Sequence, residues 1–151
     1  MLKLRKNKKG FTLVELIVVI AIMAVLAGTV AGVTVSQLNK NTDKANGSQA
    51  KTIADFISSQ LIEGTIEASE SFVIGDFKAP DAGTAEADYT LGNRLFNQFG
   101  NKVAASAVKG GAIGVSYADK TFTVSYVGKQ GNNKGDATYT INAEGIVNKT
   151  K

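Results

Sequence analysis

The chain has 151 residues, enough for one small domain once a strongly apolar stretch near the N-terminus is set aside. It contains no cysteine and no histidine, which excludes disulfide bonds, thiolate or imidazole metal ligands and the usual catalytic nucleophile and base pairs. The formal net charge is +4, but the first ten residues supply five Lys/Arg, and without them twelve basic residues face thirteen acidic ones. We therefore expect no enzyme activity, no cofactor and no nucleic-acid binding.

The N-terminal part consists of a basic leader, residues 1–10, followed by an apolar run, residues 11–35, in which Glu15 is the only charged residue. As a helix this run would extend roughly 37 Å at about 1.5 Å per residue. That length exceeds the hydrocarbon core of a bilayer, about 30 Å. Because basic residues are concentrated before the run, the leader should stay in the cytoplasm and the C-terminus should lie outside. The pattern predicts one membrane-spanning helix.

Two ordinary interpretations of this segment leave Glu15 without a role. A secretory signal could be cleaved after Ala27 or Ala31, where small residues precede the bond. A plain single-pass anchor needs no cleavage. In both, Glu15 is merely a first-turn acid that a helix N-terminus tolerates.

Residues 10–15 read Gly-Phe-Thr-Leu-Val-Glu. Together with the basic leader and the apolar run, this segment resembles the cleavage and assembly motif of the type IV pilin and pseudopilin family. The resemblance implies that a prepilin peptidase and methyltransferase cuts between Gly10 and Phe11 and N-methylates Phe11. It also implies that the Glu15 carboxylate pairs with the new ammonium group on Phe11 of a neighbouring subunit and so sets the register of assembly.

The chain departs from many family members in the second half of the apolar helix. A proline is common there, whereas the single proline of this chain is Pro80. Gly28 and Gly32 occupy the corresponding stretch, where glycine lowers helix propensity and lets two helices approach closely. Helix flexibility or packing could depend on these two glycines; the alternative is that a membrane helix merely tolerates them. Cysteine-free members are common in Gram-positive bacteria.

The rest of the chain has three regions. Residues 36–63 are predicted to continue the helix with an amphipathic pattern, since apolar residues recur at helical spacing until Gly64 ends the helix. Residues 64–111 form a connecting region with a short extended segment at 72–77 and a short helix at 91–99. Residues 112–151 alternate with a period of two and predict an antiparallel meander. Three acids in the connecting loop match no calcium loop, so a solvated loop without metal is favoured: Asp81, Glu86 and Asp88.

We therefore predict an α+β fold, in which a long helix with a membrane-spanning half and an amphipathic half packs against a small antiparallel β-meander, the ladle of pilins. The resemblance implies a structural subunit of a type IV pilus that serves adhesion, aggregation or surface motility. Two alternatives stay open: a pseudopilin of a type II secretion or DNA-uptake filament, and a monomeric membrane-anchored binding module.

The partners implied by the resemblance are other pilin subunits, the prepilin peptidase and methyltransferase, the assembly platform with its ATPase, and the cytoplasmic membrane. Host or bacterial surfaces are further partners of such filaments. The protein is expected in the cytoplasmic membrane before assembly and in an extracellular filament afterwards.

Overall fold

A computed structural model describes residues 10–130 and 133–151. The leader predicted above therefore lies outside the described residues, apart from Gly10. The chain divides into two compact units, Met1–Leu38 and Asn39–Lys151. The elements are α1 Leu13–Ile62, α2 Leu91–Phe99, β1 Val103–Ala104, β2 Ile113–Ala118, β3 Thr121–Tyr126, β4 Ala137–Ile141 and β5 Val147–Lys149, with short 3₁₀ segments at Glu86–Asp88 and Gly100–Lys102.

The first unit contains the apolar part of α1. Every residue from Gly10 to Leu38 is exposed in the single chain. Among the described residues, α1 is the one helix long and apolar enough to cross a membrane, a statement about length and composition alone. An apolar helix that nothing covers needs lipid or other protein around it.

The predicted end of α1 at Gly64 is confirmed. Gly64 has a φ of +70°, its N–H donates to the Leu61 carbonyl at 3.1 Å, and the Thr65 N–H donates to the Gln60 carbonyl at 3.0 Å. These two bonds form a Schellman motif, which satisfies the last carbonyls of the helix. The motif requires a residue that tolerates a positive φ, and Gly64 is such a residue. The chain turns off α1 at this point.

The second unit is built on a five-stranded sheet in the order β1-β2-β3-β4-β5. The pairs from β2 to β5 are antiparallel, as the alternation of apolar residues predicted. Asp119 and Lys120 join β2 to β3 with φ angles of +50° and +56°, which is the turn that matches the twist of two antiparallel strands. The sheet differs from a pure meander at one edge, because β1 runs parallel to β2.

The core of this unit lies between the sheet and the later part of α1. The helix contributes a stripe of residues with no exposed surface, and the sheet contributes its alternating apolar residues. These core residues are Ala50, Ile53, Ala54 and Ile57 from α1 and Ile113, Val115, Phe122, Val124, Tyr126 and Ile141 from the sheet. The α+β arrangement predicted from the sequence is confirmed.

The connecting region is only partly as predicted. The helix at 91–99 is present as α2, and it starts with a capping box between Thr90 and Asn93. The segment at 72–77, predicted to be extended, joins no strand of the described sheet. It is fixed by Gly92 N–H, which donates to the Ile74 carbonyl at 2.7 Å, and by the Phe72 ring, whose centroid lies 5.0 Å from that of Tyr117.

Candidate assembly and processing site

The bond between Gly10 and Phe11 lies in irregular chain just before α1. Phe11 is 92% exposed, and apart from the two adjoining residues no described atom lies within 4 Å of the point where a Cβ on Gly10 would be. Exposed, irregular segments are the preferred sites of proteolysis. The described geometry therefore leaves this bond accessible.

Thr12 and Glu15 cap the start of α1 by bonding to each other. Glu15 Oε2 accepts from the Thr12 backbone N–H at 2.8 Å and from the Thr12 hydroxyl at 2.9 Å, while the Glu15 N–H donates to the Thr12 hydroxyl oxygen at 3.2 Å. This reciprocal arrangement is a capping box, with threonine before the helix and glutamate at its third position. This capping role of Thr12 was not predicted, although Thr-x-x-Glu before an apolar run is the signal for it.

The capping box uses only one oxygen of the Glu15 carboxylate. Among the described residues, Glu15 Oε1 has no hydrogen bond and Glu15 forms no ion pair. The box therefore fixes the carboxylate at the helix start and leaves its second oxygen without a described hydrogen bond. An ammonium group brought near it could bind without breaking the helix start.

The predicted flexibility and packing positions, Gly28 and Gly32, lie on the uninterrupted part of α1. Apart from the adjoining residues and the backbone of the same helix turns, no described atom lies within 4 Å of a Cβ placed on either glycine. Nearby hydroxyls are satisfied inside the helix, since Thr29 donates to the Leu26 carbonyl at 2.9 Å and Thr34 to the Val30 carbonyl at 2.8 Å. This stretch therefore has an apolar surface on which the two glycines, having no side chain of their own, leave space.

A buried polar cluster in the second unit was not predicted. Asp43 on α1 is 4% exposed, and its Oδ1 accepts from the Tyr126 hydroxyl at 3.0 Å and from the Lys129 N–H at 2.9 Å. The Asn46 side-chain amide donates to the Tyr126 hydroxyl at 3.0 Å. Burial raises the pKa of Tyr126; the Asn46 bond opposes the rise and Asp43 adds to it. The cluster attaches the chain after β3 to α1.

The same loop is held from its other end by Asp136. The Asp136 carboxylate accepts from the Gly128 N–H at 2.9 Å and from the Lys151 ammonium at 2.9 Å. The Gly128 N–H and then the Lys151 side chain lower the pKa of Asp136. The chain has no cysteine, and the carboxylates of Asp43 and Asp136 bind the two ends of the segment from Gly128 to Asp136.

The acids of the connecting loop do not form a site together. Asp81, Glu86 and Asp88 are exposed, and Asp81 pairs with Lys78 at 3.3 Å. Within residues 10–130 and 133–151, no three histidine, cysteine, aspartate or glutamate side chains are grouped so that they could hold a metal ion.

The comparisons with known proteins address the N-terminal part of the chain. Residues 5–31 match the family model of the prokaryotic N-terminal methylation motif. No curated protein and no solved structure matches the chain. The match supports a prepilin of the kind that gives rise to type IV pilins and pseudopilins, a class of structural proteins. The motif implies processing by a prepilin peptidase and assembly with other pilins, and with the apolar helix it indicates membrane anchoring before assembly.

Proposed function

We propose that this protein is the structural subunit of a type IV pilus. It is cut between Gly10 and Phe11, N-methylated on Phe11, held in the cytoplasmic membrane with its C-terminus outside, and then polymerised through α1. The assembly platform and its ATPase extract the subunit, and the extracellular filament serves adhesion, aggregation or surface motility. The protein itself has no catalytic role.

One observation supports this proposal above the others: an apolar helix that nothing covers has a single carboxylate, fixed at its first turn. Glu15 is the only charged residue from Phe11 to Asn39, and a free charge inside a bilayer is costly. The capping box already satisfies one of its oxygens. After cleavage, the Phe11 ammonium group of a neighbouring copy can pair with the other oxygen of the Glu15 carboxylate. The two groups meet only when the two helices have the correct axial offset.

The helix surface supplies the rest of the association. Lipid tails are as apolar as these side chains, so close packing between helices has to favour assembly over solvation by lipid. Gly28 and Gly32 are four residues apart on one face and have open space around them. They would admit a neighbouring helix at short distance.

Two variants separate the charge of Glu15 from its capping role. Glu15→Gln keeps the capping box, because glutamine also serves at this position, but it has no charge. Thr12→Ala removes the box but keeps the carboxylate. We expect the Glu15→Gln protein to be cleaved and inserted in the membrane but to form no filaments in electron micrographs. The Thr12→Ala protein should form filaments.

Other outcomes would point elsewhere. Normal filaments in Glu15→Gln would contradict the register role of the charge. A wild-type protein that is cleaved yet never found in filaments would favour the membrane-anchored binding module, and very short filaments confined to the envelope would favour a pseudopilin.

A further inference from the structure

The acidic and basic residues of the second unit are segregated. Residues 63–88 contain seven Asp/Glu and one lysine, a formal net charge of −6. The remainder of Asn39–Lys151 contains eleven Lys/Arg and five Asp/Glu, a formal net charge of +6. All seven acidic side chains of 63–88, here called the acidic segment, are exposed. The unit as a whole has a formal net charge of zero, and its acids are concentrated in one stretch of the chain.

A basic cleft lies elsewhere on this unit. It has a volume of about 410 Å³ and is lined by four lysines together with Gly47, Ala137 and Tyr139. These cleft lysines are Lys40, Lys44, Lys134 and Lys149. They are all exposed, and none of them forms an ion pair with another residue in the part of the chain that the structure describes.

The two acids of the cleft offset only part of the charge of these lysines. Asp43 accepts from the Tyr126 hydroxyl and the Lys129 N–H, and Asp136 is paired with Lys151 at 2.9 Å. Four lysines therefore face one carboxylate, Asp43, that is in no ion pair among the described residues, so the cleft has a net positive charge that attracts an anionic partner.

The acidic segment starts at the opposite end of this part of α1. Lys44 and Glu63 are 19 positions apart on or next to the helix, which corresponds to roughly 28 Å along its axis. The segment is fixed there by contacts with the tip of the β2–β3 hairpin: the Tyr117 hydroxyl donates to the Ser69 carbonyl at 2.7 Å, and Lys120 pairs with Glu70 at 3.5 Å. No acid of this segment lines the cleft.

We propose that the basic cleft of one copy binds the acidic segment of a second copy. Two different surfaces of the same chain then meet head to tail, and such a contact repeats along a filament instead of closing into a dimer. A nucleic acid or an anionic membrane would use the cleft alone, whereas a second copy uses both charged surfaces, the cleft and the acidic segment. The inference rests on the proposed filament and adds a contact between the parts outside the membrane helix.

Charge reversal tests this contact. Lys44→Glu with Lys149→Glu makes the cleft acidic, so it should repel the acidic segment and the cells should lose most of their filaments, since like charges placed together oppose association. The matched control is Lys102→Glu with Lys109→Glu, which changes the net charge equally at two exposed lysines outside the cleft. The control should form filaments as the wild type does.

A second variant guards against simple misfolding. Adding Asp76→Lys, Asp81→Lys, Glu86→Lys and Asp88→Lys to the reversed cleft exchanges the signs of both surfaces in one chain. We expect this exchanged chain to recover filaments, seen in electron micrographs and in the sheared surface fraction. If the exchanged chain is cleaved and inserted normally but still forms no filaments, the proposal is overturned.

The remaining outcomes also decide the question. Filaments from the reversed-cleft chain at the wild-type level would overturn the inference while leaving the proposed function intact, because the wild type and the control still assemble. If that chain assembles normally but no longer binds vesicles of phosphatidylglycerol, the cleft serves a lipid headgroup instead. A wild type without filaments would be a failure of the proposed function itself.

Discussion

The Tyr126 hydroxyl donates a hydrogen bond of 3.0 Å to Asp43, a residue 83 positions earlier in the chain. Asp43 lies on α1 and Tyr126 is the last residue of β3, and both are buried. The Lys129 N–H donates to the same carboxylate oxygen at 2.9 Å. One carboxylate therefore joins the helix, a central strand and the loop that follows it.

Removing the Tyr126 hydroxyl should destabilise the second unit. A hydrogen bond to a charged group contributes about 1.5 to 3 kcal/mol, so Tyr126→Phe should lower the free energy of unfolding by about 2 kcal/mol. Denaturant unfolding of the full chain in detergent micelles, followed by near-ultraviolet circular dichroism, measures this. Tyr139→Phe is the control, because the Tyr139 side chain is also buried but its hydroxyl has no hydrogen bond among the described residues. Equal stability of the two variants would show that the bond to Asp43 contributes little.

Gly135 packs directly against Asp43, and its replacement should be costly. It has a φ of +90°, and a Cβ on it would lie 2.6 Å from the Asp43 Cβ. Gly83 has nearly the same φ, +89°, with no atom within 4 Å. Gly83→Ala should cost only the backbone strain, about 1 to 2 kcal/mol, while Gly135→Ala should cost clearly more in the same unfolding measurement. Similar losses of stability in the two variants would mean that the Asp43 side chain can move to make room for a Cβ at position 135.

Stability in acid should depend on Asp136. Its folded pKa lies below the ordinary value of 3.8 because the Gly128 N–H and the Lys151 ammonium favour the charged form. A lowered pKa contributes stability that is present above the ordinary value and is lost as the pH falls through the folded pKa. Unfolding should therefore become easier below about pH 3.8. Asp136→Asn should be less stable at neutral pH and show a flatter acid dependence; an unchanged profile would contradict this role.

The two glycines of the apolar helix should matter only in the assembled state. Since nothing surrounds Gly28 and Gly32 in the single chain, replacing both by leucine should leave cleavage and membrane insertion intact but prevent close helix contact and reduce filaments. Replacing both by alanine keeps the side chains small and should preserve filaments. If the alanine pair loses filaments as well, flexibility of the helix and not close packing is what these positions provide.

Elements with a strong local pattern could be predicted from the sequence. The spacing of Leu91, Leu95 and Phe99 predicted α2, and the alternation at Phe122, Val124 and Tyr126 predicted β3. Both patterns reflect which face of an element is buried, and the spacing of apolar residues within the element itself indicates that face. Glu15 was recognised in the same way, as a charge in an apolar run.

Features that depend on distant partners could not be predicted. Asp43 looks like an ordinary helix acid, and only the folded chain brings Tyr126 and Lys129 to it. Strand β1, Val103–Ala104, is too short to show any alternation. The segment around Phe72 has the composition of a strand, but its ring contacts with Tyr117 and Phe122 fix it outside the described sheet.

The N-terminus of the mature protein tests the central claim most directly. Mass spectrometry of the protein taken from the membrane and from the surface should find a chain that begins at Phe11 and bears one added methyl group on its α-nitrogen. A chain that begins at Gly28 or Gly32 would show cleavage of an ordinary secretory signal, and a chain that keeps its leader would show a plain anchor. Either result would contradict the assignment of this protein as a processed, filament-forming subunit.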